Sequence, residues 1–75
     1  MPHRARRAVS DAMALIADIN AGTINPATVT GKVIASEEAL RRADSDMRCI
    51  GRSTSRIKIA QDALRTAYIN YKARR

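Results

Sequence analysis

Apolar residues recur along the first quarter of the chain with the spacing of one helix face. Ala5, Ala8, Val9, Ala12, Leu15, Ile16 and Ile19 follow the i, i+3/i+4, i+7 pattern, which predicts a helix over residues 4–21. Gly22 stands just past its end, where a residue without Cβ reaches the left-handed conformation at no steric cost. Thr23-Ile24-Asn25-Pro26 then reads as a turn into a second helix, with Asn25 as N-cap and Pro26 at the first helical position.

That second helix is expected over 26–47. Val29, Val33, Leu40, Ala43 and Met47 form its stripe, with Ser36 as a polar gap. Glu37–Arg41 and Glu38–Arg42 are i,i+4 pairs in the favourable order, each contributing about 0.2–0.5 kcal/mol. Its first turns carry a conflict. Thr28-Val29-Thr30-Gly31-Lys32-Val33-Ile34 is β-branched around a glycine, so a short hairpin turning at Thr30-Gly31 competes with helix. Helix is preferred because an isolated two-stranded hairpin is marginal in water. Gly31 would then mark a close helix crossing.

Gly51 ends the second helix, and Ser53, Thr54 or Ser55 can cap a third. Over residues 55–73, Ile57, Ala60, Leu64, Ala67, Tyr68 and Tyr71 share one face. Ile59 and Ile69 fall off that stripe, as apolar anchors for a partner or as part of a widened interface. The expectation is an all-α, single-domain, three-helix arrangement with frayed termini.

The chain has 75 residues, a size at which roughly 60% of the unfolded surface can be buried. Its core must be built without Phe or Trp, from side chains that each bury less area. A monomer would be marginal, and homodimerisation or folding on a partner would supply the missing burial. Barrels, two-domain chains and doubly wound sheets with a cofactor crevice are too large to fit.

Residue chemistry argues against catalysis. His3 is the sole histidine and lies at the N-terminus, where fraying is the default, Cys49 is the sole cysteine, and neither has a partner for nucleophile or metal chemistry. Cys49 reads as a half-buried small residue near a helix end, although Arg48 and Arg52 would favour its thiolate. Asp44-Ser45-Asp46 resembles the start of a calcium loop but lacks the later ligands and glycine, and reads as a solvated cluster beside Arg41 and Arg42. Gly22, Gly31 and Gly51 are isolated, so no phosphate-cradling loop exists. No cofactor or metal is expected. A single cysteine, no signal-peptide core and no apolar run of about 20 residues point to a cytoplasmic protein without a membrane segment.

Charge is what remains. Fourteen Lys and Arg face seven Asp and Glu, a formal net charge of +7. Arg4, Arg6 and Arg7 cluster at the start; Lys72, Arg74 and Arg75 cluster at the end. Lys58, Arg65 and Lys72 are spaced by seven, drift about 20° per step, and form a ridge beside the apolar stripe. These eight residues are the expected contacts for nucleic acid or for an acidic protein surface. The join from Ile19 to Val29 misses helix-turn-helix spacing, so backbone contact is expected over sequence reading. Tyr68 and Tyr71 are placed in the core with their hydroxyls at the rim, not as a base-stacking platform. The competing expectation is an accessory protein of the phage or mobile-element type, using Ile59 and Ile69 to bind and modulate a host protein.

Overall fold

The computed structural model describes residues 2–74. Three helices account for the architecture: α1 (His3–Ala21), α2 (Val29–Cys49) and α3 (Ser55–Ala73). No strand occurs among the described residues, so helix wins over hairpin at Val29–Ile34. The β-branched residues there cost little because Val29 and Val33 are buried, and packing outweighs a propensity deficit of tenths of a kcal/mol.

Two glycines set the corners. Gly22 takes φ 77°, Thr23 N–H donates to Asp18 C=O at 3.0 Å, and Gly22 N–H to Ile19 C=O at 3.3 Å. Gly51 takes φ 70°, with Arg52 N–H donating to Met47 C=O at 2.9 Å and Gly51 N–H to Arg48 C=O at 3.1 Å. Both patterns satisfy carbonyls that the last helical turn leaves open.

The start of α2 lies three residues later than expected. Asn25 does not cap the helix: its side-chain oxygen accepts from Ala27 N–H at 2.9 Å, which closes a tight turn through Pro26. Thr28 occupies the cap position without a side-chain capping bond, and its hydroxyl donates to Asn25 C=O at 3.3 Å. That turn tucks Ile24 into the core, a loop residue that no helical period marks. α2 also runs two residues further than expected, to Cys49. At the N-terminal end, α1 already includes His3, one residue before the expected start.

The helices pack up-down-up. Arg4, Arg7, Ala8 and Asp11 of α1 line one groove with Ala35, Glu38, Ala39 and Arg42 of α2, an antiparallel pairing. Ile16 and Asn20 line another with Asp62, Thr66 and Asn70, and the Arg74 guanidinium donates to Ile19 C=O at 3.5 Å, so α3 runs parallel to α1. The predicted stripes meet in one core, in which Ile19, Leu40, Ile57, Leu64, Val29 and Val33 are essentially inaccessible. Val9, Tyr68 and Tyr71 are half-buried at its margin. The body measures 41 × 16 × 16 Å. It exposes 5090 Å², against about 4500 Å² for a compact monomer of 8.2 kDa. The elongated shape explains the difference, because a rod has more surface for its volume than a sphere.

Gly31 is exposed, and a Cβ built on it meets nothing within 4 Å, so it marks no helix crossing. Cys49 is exposed as well, not half-buried.

Candidate nucleic-acid interface

At 100° per residue, each cation can be placed relative to the buried stripe of its helix. The three grooves between helices then divide the surface. Facing the α1/α2 groove are Arg4, Arg7, Lys32 and Arg42 against Asp11, Asp18, Glu38 and Asp46, which balance. Facing the α2/α3 groove are Arg41, Arg48, Lys58, Arg65 and Lys72 against Glu37 and Asp44, a net of +3. The α1/α3 groove is lined, among the described residues, by Ile16, Asn20, Asp62, Thr66 and Asn70 and by no cation, while Arg56 lies at the loop end beside Met47 and Arg52, and Arg74 is turned onto Ile19 C=O. Arg52 lies in the loop at one end. Among the described residues the excess positive charge therefore gathers along the α2/α3 groove and cancels along the α1/α2 groove.

The eight expected contacts do not form one surface. Arg75 lies outside the described residues. Because α1 and α3 are parallel, the clusters at the two termini sit at opposite ends of a 41 Å body. The first cluster is also split around α1. Arg4 and Arg7 point toward the neutral groove, where Arg7 Nε lies 3.9 Å from Asp11 Oδ2, while Arg6 lies on the α3 side. The ridge of Lys58, Arg65 and Lys72 is on one exposed flank of α3, spanning about 21 Å along the axis at 1.5 Å per residue.

Ion pairs decide how much of that charge is available. Glu38 binds both Arg41 and Arg42, the latter at 3.1 Å, so the expected Glu37–Arg41 pair does not form. Glu37 instead lines a shallow groove with Arg41, Gln61 and Arg65. Asp44 binds Arg48 at 3.0 Å, not Arg41 or Arg42, and its side chain is only 16% exposed, so it is not a solvated cluster residue. Lys58, Arg65 and Lys72 belong to none of these pairs. Lys72 Nζ lies 5.0 Å from the Tyr68 ring centre, a cation–π contact that orients it along the groove.

Tyr68 ties the ridge to α2. Its hydroxyl is 2.7 Å from Thr30 Oγ1, and its ring stacks on Tyr71 with centres 6.5 Å apart. The hydroxyl thus reaches the rim, as expected, but its partner on another helix is invisible to any helical period. Ile59 and Ile69 are 66% and 57% exposed, which settles their place outside the core. Around α3 they belong to a stripe facing directly away from the core: Ile59, Asp62, Thr66, Ile69 and Ala73.

Among the described residues no group of three His, Cys, Asp or Glu side chains is placed to hold a metal, and no helix is long and apolar enough to cross a membrane. No family model, curated protein or solved structure matches this chain.

Proposed function

We propose that the chain is a non-catalytic binding module that associates with nucleic acid through the phosphate backbone. The observation that carries this reading is the ridge of Lys58, Arg65 and Lys72. Three exposed cations stand on one flank of α3, outside the ion pairs that Asp11, Glu38 and Asp44 form, on the most positive side of the bundle. Cations so placed gain from releasing condensed counterions without first breaking an internal ion pair. Arg41 and Arg48 extend the surface across the groove, though each must exchange a carboxylate for a phosphate.

Binding to duplex DNA or RNA, followed by gel mobility and fluorescence anisotropy across a salt series, tests the proposal. If all five cations of that side each neutralise a phosphate, log K falls with log salt at a slope of about −4.5. Affinity then drops about 500-fold between 50 and 200 mM salt. Replacing Lys58, Arg65 and Lys72 by alanine removes about 2.7 from the slope. Unchanged mobility of every nucleic acid at micromolar protein in low salt would sink the proposal.

A second reading, in which an acidic protein surface covers the same flank, is favoured by the exposure of Ile59 and Ile69. It predicts that a protein partner stays bound at stoichiometric level in lysate treated with nuclease, and that Ile69→Asp releases it.

A further inference from the structure

Cations line the α1/α2 and α2/α3 grooves, whereas the α1/α3 groove has apolar and uncharged polar side chains, with Asp62 its only charge among the described residues. Two large apolar side chains left in water belong to this face. Ile59 is 66% exposed and Met13 50%. α1 and α3 run parallel, with Ile16 and Ala63 in the walls of one groove, so one turn earlier Met13 comes level with Ile59 and Ala60. At 100° per residue Met13 and Val9 turn toward α3, and Ile59 stands about 40° from Ala63 on the α1 side of its own helix. Half-buried Val9 and Ala63 join Met13 and Ile59 into one apolar patch near the middle of α1.

Charge selects what can cover that patch. Nucleic acid or an acidic protein would meet Asp62 there, with no cation in the groove to offset the repulsion. A second copy of the chain meets the opposite condition. Each copy carries +7, so two copies repel wherever their cationic grooves approach, and the groove without cations is where they meet at least cost. The face is also self-complementary. Arg56, at the loop end of α3, and Asp62, in the groove, flank Ile59 at i−3 and i+3, and neither belongs to an ion pair among the described residues. Two α3 helices crossing at Ile59 in antiparallel sense bring each Arg56 level with Asp62 of the other copy. A parallel pairing would instead gather Arg4, Arg6, Arg52 and Arg56 of both copies at one end.

The area is sufficient as well. A face 41 Å long and 16 Å wide offers about 650 Å² per copy, so the pair buries about 1,300 Å², inside the roughly 1,200–2,000 Å² of specific interfaces and near its lower end.

We infer that two copies of the chain associate through the α1/α3 face as an antiparallel, two-fold symmetric dimer, with Ile59 and Met13 each packed against its own counterpart. An interface of this size corresponds to a dissociation constant on the order of 10–100 μM. At a few micromolar the chain is then mostly monomer, and unfolding at that concentration reads the three-helix unit alone. Both α2/α3 flanks stay on the outside of the dimer, so the inference stands apart from the proposed association with nucleic acid.

Sedimentation equilibrium tests it, on the full chain purified free of nucleic acid, from about 5 μM to about 1 mM. Monomer should pass to dimer and no further. Raising salt from about 50 to about 300 mM should tighten the dimer several-fold, because screening weakens the repulsion between +7 copies, whereas binding to nucleic acid weakens with salt. Ile59→Arg and Met13→Arg should each raise the dissociation constant at least about 10-fold, while Ile69→Arg, with the same added charge on the other side of α3, should change it less than about 2-fold. Asp62→Arg should weaken the dimer about 3- to 10-fold, and adding Arg56→Asp should restore it. Circular dichroism confirms that each variant stays helical. A monomer at every concentration, a dimer indifferent to Ile59→Arg and Met13→Arg, or a charge exchange without rescue overturns the inference.

Discussion

Replacing Gly31 and Gly51 separately by alanine pits backbone conformation against side-chain contact. Gly31 lies in the first turn of α2 with no constraint on its φ, and a Cβ there meets nothing within 4 Å. Alanine should therefore gain helix propensity and reduce unfolded-chain freedom without touching a neighbour. In a helix interior the gain is about 0.8–1.0 kcal/mol; in a first turn, where fewer intrahelical bonds are at stake, about 0.5 kcal/mol is expected. Gly51 also faces open space, but its φ is +70°, where Cβ crowds the following carbonyl and costs roughly 1–2 kcal/mol. For a domain of 60–100 residues, 1 kcal/mol moves Tm by about 4–8 °C. Thermal unfolding followed by circular dichroism at 222 nm should show Gly31→Ala about 2–4 °C above the parent and Gly51→Ala about 4–16 °C below it. A lower Tm for Gly31→Ala would mean that something packs on that position and that the first turn of α2 does not face open solvent. Equal small effects at both sites would refute the backbone account of the second corner.

Three further outcomes follow from the same geometry. Leu40→Ala deletes a fully inaccessible side chain from the centre of the core, and a loss of about 2–5 kcal/mol should leave too little stability for a cooperative thermal transition. Thr30→Val and Tyr68→Phe should each lose about 0.5–1 kcal/mol, with a double-mutant cycle in urea returning most of that as coupling; additive effects would mean the 2.7 Å contact contributes nothing. Ile59→Ser and Ile69→Ser should shift stability by no more than about 0.5 kcal/mol, since both side chains are mostly in water, whereas a larger loss would place them in a packed interface.

Much of the fold is legible in the one-dimensional pattern. Each of the three stripes consists of residues that are buried or line the core margin, because a helix has a fixed angular period and water forces its apolar side inward. Gly22 and Gly51 mark their corners for an equally local reason, the steric cost of positive φ. Ile24 escapes that logic: it enters the core because the Asn25 turn folds the connection back over the helices. So does the exchange of partners among Glu37, Glu38 and Arg41, since several i,i+3 and i,i+4 pairs are locally equivalent and neighbouring helices bias the rotamers.

Helicity, strong basicity and a cationic ridge on the third helix can all be read along the chain, since composition and angular period involve no partner. Which charges share a surface depends on how the helices pack. The up-down-up course sends the two basic termini to opposite ends and brings Arg41 of α2 alongside Arg65 of α3 in one groove. Those relations are set by how three rods pack around Leu40, Ile57 and Leu64, and no spacing along the chain encodes them.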